Sequence, residues 1–187
     1  METYPSKNIA ITWVEQNTLP MKLFLSLGFA ILTALTAQLR IVIPISPVPI
    51  TGQTFTVLLA GMILGSTFGS VSMLMYLFLG MSGLPFFSGS VAGLAVLKSP
   101  TIGYIVGFFI ATYIIGQYSN KPLYGIVFGT FTIYLTGTIG LMLVLNLSVI
   151  NALQVGVLPF VIGDALKALV AGSIALKLKG KWNKKES

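Results

Sequence analysis

Long stretches without a charged residue constrain this chain more than any other feature of its sequence. Residues 41–97 contain no aspartate, glutamate, lysine or arginine, and neither do residues 99–120 or 122–163. Charged residues make up only 8% of the chain, against about 25% in an average soluble domain. A helix crosses a bilayer with about 20 apolar residues, so every one of these stretches can hold at least one span. The sequence therefore predicts an all-α integral membrane protein.

Proline, glycine and polar clusters divide the apolar stretches into membrane helices. Residues 51–84 are too long for one span and are interrupted at residues 65–70, which predicts two short spans joined by a tight turn. Pro159 is placed as the first residue of the last helix, a position that suits proline. The sequence thus predicts a single integral membrane domain, residues 1–187, with six transmembrane helices at residues 23–39, 51–65, 69–84, 101–118, 123–145 and 159–176.

Three segments between these helices are predicted to be irregular. Residues 41–52 carry three prolines, residues 82–99 are rich in glycine, serine and proline, and residues 146–158 are predicted to be a short helix or loop near the surface. With six spans, all three segments emerge on the same side of the membrane. Irregular backbone at membrane depth is tolerated where it lines a cavity, so these segments predict a ligand site that opens on their side.

The distribution of basic residues predicts which side that is. Arg40 and Lys98 accompany the irregular segments, whereas the other basic residues outside the spans fall on the opposite side, among them the lysine-rich tail at residues 177–187. Cytoplasmic segments carry the excess of lysine and arginine. Both termini and the basic tail are therefore predicted to be cytoplasmic, and the ligand site faces outward.

Asp164 and Lys167 are the strongest candidates for a binding site. Asp164 is the one acidic residue outside the terminal segments, and both residues fall inside the sixth predicted span. Each costs roughly 2.5–3.5 kcal/mol at a helix centre on insertion scales, and their spacing places them on one helix face. A plain buried ion pair that locks the helices together remains the alternative. As a site, a carboxylate beside an ammonium can recognise a small polar ligand that has both donors and an acceptor.

Other candidates depend on weaker signals. The Gln53 amide can reach the same cavity or cap its helix, and the backbone of the loop at Ser88, Gly89 and Ser90 can bind an anion or serve only close packing. Ala30 and Ala34 belong to a stripe of small residues that permits close helix packing, either inside the bundle or against a partner protein.

The composition also excludes several classes of function. Histidine and cysteine are both absent, so the usual metal sites, thiol chemistry and histidine acid–base catalysis are unavailable. No phosphate-binding loop of the ATPase type occurs, and no basic domain for nucleic acid accompanies the lysine-rich tail. The sequence therefore predicts a protein that is not an enzyme, without metal or cofactor, whose surroundings are the lipid bilayer.

Several short motifs occur between residue 44 and residue 167. They are the proline loop followed by Gln53, LAGMILG at residues 59–65, YLFLG at residues 76–80 leading to GLP at 83–85, Pro100-Thr101 with Gly103-Tyr104, and VLPF at residues 157–160 leading to Gly163-Asp164 and Lys167. Through these motifs the chain resembles the BioY family, the biotin-specific substrate-binding (S) components of energy-coupling factor (ECF) transporters. It departs from the family pattern at residues 99–104, which read SPTIGY in place of GPTGGY, and at Val91 and Ala92, which interrupt the glycine-rich third loop.

This resemblance implies a six-span S component that binds biotin on the outer face of a bacterial cytoplasmic membrane. Asp164 and Lys167 match the polar pair that contacts the ureido ring, with the aspartate accepting from its N–H groups and the lysine donating to its carbonyl. The loop at Ser88, Gly89 and Ser90, together with Gln53, would orient the ligand, and Tyr104 would line the pocket. Ala30 and Ala34 match the A-x-x-x-A stripe that docks a transmembrane coupling subunit. Two ATPase subunits would drive import.

Two other hypotheses remain open at this stage. Asp164 and Lys167 could relay protons or ions in a small carrier that works without an ATPase, since intramembrane ionisable residues often do so. A membrane enzyme is the least supported hypothesis, because the membrane-embedded part offers a single acid for acid–base work.

Overall fold

A computed structural model gives the structure of residue 14 and residues 16–183, with only the backbone described for residues 176 and 178–183. The described part is helical apart from its connections and a short ribbon. The helices are α1 (Leu19–Gln38), α2 (Gln53–Met81), α3 (Ile102–Gln117), α4 (Pro122–Leu145), α5 (Val149–Gly156) and α6 (Val161–Asn183). Strands β1 (Arg40–Ile41) and β2 (Ile50–Thr51) pair antiparallel, and a 3-10 helix covers Gly93–Lys98.

By length and composition, α1, α2 and α4 are long and apolar enough to cross a membrane. A fourth candidate span consists of α5 and residues 161–175 of α6, which are bent by 54° relative to each other. Helix α3 is apolar but shorter. The described residues thus contain three or four candidate spans by this criterion.

Helix α2 is a hairpin rather than a single rod. Gly65 has φ 76° and ψ −172°, a conformation that a residue with a Cβ rarely adopts. Two contacts show that the backbone reverses there. A Cβ on Gly69 would lie 3.3 Å from Cα of Gly61, and the Gln53 amide donates to the Tyr76 hydroxyl at 2.7 Å. Residues 53–64 and residues 66–81, here called the first and second arms, therefore run antiparallel. The predicted tight turn between two short helices is confirmed, although it occupies one residue rather than six.

The two arms of α2 form the centre of the bundle. They contact α1, α3 and α6, while α4 packs on α3 and α5 on α4. The α3–α4 contact is close because Gly103 faces Gly140, where an added Cβ would come within 2.8 Å of the opposite Cα. Close approach through small residues is how membrane helices pack in the absence of a hydrophobic driving force.

Several predicted boundaries are shifted. Helix α6 begins at Val161, so Pro159 lies in the turn before it rather than at its first position, and its backbone continues to Asn183 instead of ending at residue 176. Part of the predicted basic tail is therefore helical, and residues 184–187 lie outside the described residues. Of the short helix or loop predicted for residues 146–158, the structure has a short helix, α5.

Candidate ligand-binding site

The first two turns of α6 place Asp164 and Lys167 side by side. The Lys167 ammonium donates to Oδ1 of Asp164 at 2.8 Å. The Asp164 side chain is 7% exposed and that of Lys167 is 20% exposed, so the pair is largely removed from solvent. Negative charge is favoured near a helix N-terminus, where unpaired amides and the helix dipole are positive. Asp164 and Lys167 thus form an ion pair near the N-terminal end of their helix.

Two residues from other helices complete the polar cluster. The Thr54 hydroxyl, in the first turn of α2, donates to Oδ1 of Asp164 at 2.8 Å and accepts from Lys167 at 3.1 Å. The Tyr134 hydroxyl, on α4, donates to Oδ2 of Asp164 at 2.8 Å. One carboxylate thus ties together α2, α4 and α6, and we call these four residues the polar cluster.

The polar cluster forms one wall of a cavity, here called the central cavity. In this conformation the cavity leaves about 40 Å³ for the centres of water-sized molecules, which is room for a few waters. The other polar residues in its lining are Thr51, Gln53, Thr101 and Tyr104, and the apolar residues are Val48, Pro49, Ile105, Phe108, Ile133 and Phe160. Mostly apolar walls with a few convergent polar groups are typical of small-molecule sites.

Two predicted site residues line the central cavity with their polar groups already engaged. The Tyr104 hydroxyl donates to the Gly156 carbonyl at 2.7 Å, so its ring is the part that can meet a ligand. The Gln53 amide donates to Tyr76 and accepts from Thr51 at 2.9 Å. Gln53 does not cap α2 through its side chain, because Gly52 is the N-cap. Its amide links the two arms instead.

The proline loop, residues 41–52, closes one side of the central cavity. The β1–β2 ribbon fixes both ends of this loop, and Ser46 donates to the Val155 carbonyl of α5 at 2.7 Å. Val48 is buried and lines the cavity together with Pro49. The prediction that residues 41–52 and the 146–158 segment come together is thereby confirmed for these contacts.

Ser88, Gly89 and Ser90 are not among the residues that line the central cavity. They form the tip of a tight turn in which Gly89 and Ser90 have φ 77° and 58°. The turn is fastened to the end of α1, since Gln38 donates to the Phe87 carbonyl at 3.0 Å and accepts from the Ser90 amide at 3.1 Å. They therefore lie outside the lining of the central cavity in this conformation, and their contact with a ligand stays a prediction.

Ala30 and Ala34 face the interior of the bundle. Their exposed fractions are 0% and 6%, and the same face of α1 is fixed to α2 by the Ser26 hydroxyl, which donates to the Phe68 carbonyl at 3.0 Å. Of the two roles open to the stripe, this burial supports packing inside the bundle. Partner docking through Ala30 and Ala34 stays a prediction.

Thr54 and Tyr134 are members of the site that the sequence interpretation missed. A usable signal existed for Tyr134, because a phenol hydroxyl inside an apolar span needs a hydrogen-bond partner. Asp164 was the obvious acceptor to test. The sequence signal for Thr54 was weaker, since a threonine hydroxyl in a membrane helix commonly donates a hydrogen bond to the backbone of its own helix.

Comparisons with known proteins agree on one family. The model of the BioY family matches residues 10–184. A probable biotin transporter BioY from Pyrococcus horikoshii is 42% identical over 153 residues, which cover 81% of this chain and 92% of the relative. The biotin transporter BioY of Thermotoga maritima is 37% identical over 73% of this chain and 84% of its own length.

A solved structure gives the same result for the fold. The crystal structure of the S-component for biotin from an ECF-type ABC transporter superposes with a TM-score of 0.79 at 26% identity. The alignment covers 88% of this chain and 95% of the other. Together with the family match over almost the whole sequence, these similarities lead to one conclusion: the chain belongs to the BioY family.

Proposed function

We propose that this chain is the biotin-binding S component of an ECF-type importer and that it leaves biotin chemically unchanged. The observation that carries the proposal is the polar cluster, in which a carboxylate and an ammonium lie 2.8 Å apart in the wall of a largely apolar cavity. A ureido ring presents N–H donors beside a carbonyl acceptor, which match Asp164 and Lys167. The similarity to relatives named biotin transporters supports the same ligand.

The ligand site that we propose consists of Asp164, Lys167, Gln53 and Tyr104, to which Thr54 and Tyr134 are added. The central cavity as described holds only a few waters, so a bicyclic ligand requires its walls to move apart. The proline loop is the element that covers the cavity, and its Ser46–Val155 hydrogen bond is a single link to α5. Opening this loop to the outside is the simplest way to admit biotin.

The proposed topology has six spans: α1, the two arms of α2, α3, α4 and α6. The reversal at Gly65 supports counting the arms separately, because it brings residue 53 next to residue 76. With this count both termini lie on one side of a cell membrane, and the excess of basic residues on that side supports a cytoplasmic location for them.

The proposed partners are a transmembrane coupling subunit and two ATPase subunits, as the similarity to an S-component of an ECF-type ABC transporter suggests. In the described conformation Ala30 and Ala34 are covered, and the part of α1 that is open to a coupling subunit is its outward apolar face. That face consists of Phe24, Leu27, Ile31 and Leu35, all exposed in the structure.

The test is equilibrium binding of biotin to the purified chain in detergent or nanodiscs. The wild-type chain is expected to bind biotin and desthiobiotin, which both contain the ureido ring. It is expected not to bind lipoic acid, which lacks this ring. Asp164→Asn is expected to weaken biotin binding about a hundredfold or more, because the amide replaces an acceptor by a donor and leaves Lys167 without its counter-charge.

Asn120→Asp, a change of the same size in the exposed loop after α3, is the matched control and is expected to bind biotin like the wild type. Absence of biotin binding by the wild-type chain would refute the proposed function. Unchanged affinity in Asp164→Asn would instead remove the polar cluster from the site.

A further inference from the structure

The Asp164 carboxylate is close to saturated with hydrogen bonds before any ligand arrives. Oδ1 accepts from Thr54 and from Lys167, and Oδ2 accepts from Tyr134, all at 2.8 Å. A carboxylate offers about four acceptor positions. With three donors from the described part of the chain in place, one position remains for a ligand, and it is on Oδ2, the oxygen that Tyr134 holds.

Lys167 is in the complementary situation. Its ammonium has three N–H donors, of which one goes to Asp164 and one to Thr54 among the described residues. The pair therefore presents one acceptor and one donor side by side. Such an arrangement matches one N–H and the adjacent carbonyl of a urea or amide.

Tyr134 also lies at a boundary. A lateral cleft between α4 and α6 is lined by apolar side chains, among them Ile126, Phe131 and Val161, and it ends at Tyr134 and Asp164. The same two residues line the central cavity on the other side. Asp164 thus stands between the ligand cavity and an apolar cleft, and the Tyr134 hydroxyl is the donor that fixes its second oxygen there.

We propose that Tyr134 is a positioning residue for ligand recognition, acting through Asp164. This inference rests on the proposed biotin-binding function. Its hydrogen bond fixes the plane of the carboxylate and leaves a single acceptor position of Oδ2 for the ligand, so that Asp164 accepts one ureido N–H and not both. The second N–H is bound elsewhere in the cavity.

Tyr134→Phe tests the proposal, because it removes the hydroxyl and keeps the ring. Biotin binding is expected to weaken about tenfold, the size of effect seen when a hydrogen bond to a charged group is lost. In an Asp164→Asn background the same change is expected to alter affinity less than about threefold, since the carboxylate that Tyr134 positions is gone. A role of the ring in packing alone would leave the affinity unchanged in both backgrounds, so the tenfold loss in the wild-type background distinguishes the two roles.

A second measurement replaces this comparison of two backgrounds if Asp164→Asn binds biotin too weakly to be measured. Biotin methylated at one ureido nitrogen, and separately at the other, is compared between the wild type and Tyr134→Phe. For the analogue that has lost the N–H bound by Asp164, the tenfold effect of Tyr134→Phe is expected to disappear. For the other analogue the effect is expected to persist.

Tyr113→Phe is the matched control, since Tyr113 is half exposed on α3 and outside the lining of the central cavity; it should bind biotin normally. If the wild type binds biotin and Tyr134→Phe binds it equally well, or if both methylated analogues respond alike, the positioning role is refuted while the proposed function stands. If the wild type does not bind biotin, the proposed function itself fails.

Discussion

At the scale of single residues, the Asp164–Lys167 pair shows how an intramembrane charge is accommodated. The Asp164 side chain is 7% exposed, and its charge is offset by Lys167, by two hydroxyl donors and by its position in the first turn of α6. Burying both ions is costly even when they are paired. Retaining them in a chain of this composition is therefore better explained by ligand recognition than by stability.

The pair leads to a prediction about stability. Lys167→Met keeps a similar length but leaves the Asp164 carboxylate without its counter-charge, and breaking a buried pair in this way costs about 3–5 kcal/mol. For a chain of this size the thermal midpoint in detergent is expected to fall by roughly 6–20 °C. The double variant Lys167→Met with Asp164→Asn is expected to recover much of that loss. Equal destabilisation of the single and double variants would show that charge imbalance is not the cause.

At the scale of elements, the reversal of α2 depends on two glycines from different helices. Gly65 supplies the positive φ of the turn, and Gly116 of α3 lies directly against it. A Cβ added to Gly116 would overlap backbone atoms of Gly65 and Ser66. Backbone cannot move aside as a flexible side chain can, so this contact fixes α3 against the turn.

Gly116→Ala is therefore expected to destabilise the protein, although alanine favours helix. Overpacking of this kind costs about 1–3 kcal/mol, which corresponds to a fall of roughly 2–12 °C in the thermal midpoint. Gly28→Ala on α1 is the matched control, because its Cβ would meet no atom within 4 Å. The control should be unchanged or slightly more stable, by about 0.5–1 kcal/mol. Equal thermal midpoints of the two variants would show that the contact at Gly116 has room for a methyl group.

At the scale of the whole molecule, the packing order explains where the site forms. The arms of α2 contact α1, α3 and α6, whereas α4 and α6 contact each other sparsely. The polar cluster connects α2, α4 and α6 at this loosely packed position. The central cavity is thus bordered by α4 and α6, two helices that contact each other at few residues besides Tyr134 and Asp164.

The six-span topology can be tested directly because the chain contains no cysteine. Ser82→Cys follows the second arm of α2 and Asn120→Cys follows α3, and both positions are exposed. In intact cells a membrane-impermeant maleimide is expected to label Ser82→Cys and to reach Asn120→Cys only after permeabilisation. Labelling of both positions from outside would contradict the proposed count of spans. The cysteine-free wild type provides the background.

Long-range hydrogen bonds explain what the sequence interpretation could not see. The long uncharged stretches predict helices, and the interruption at residues 65–70 predicts the turn, because both are local properties of the chain. The link from Tyr134 to Asp164 crosses 30 residues and that from Thr54 crosses 110. No local pattern in the sequence marks such partners, since their proximity depends on how the helices pack.

The sequence alone determined that this chain is a helical membrane protein, that its one internal acid is paired with Lys167 a turn away, and which family it resembles. These follow from composition, spacing and motifs, which do not depend on packing. Only the tertiary structure decided which face of α1 is buried, that Ser88, Gly89 and Ser90 lie apart from the central cavity, and that Thr54 and Tyr134 hold Asp164. The physical reason is that a buried polar group is satisfied by whichever donor the fold brings within about 3 Å, and that distance is set by helix packing.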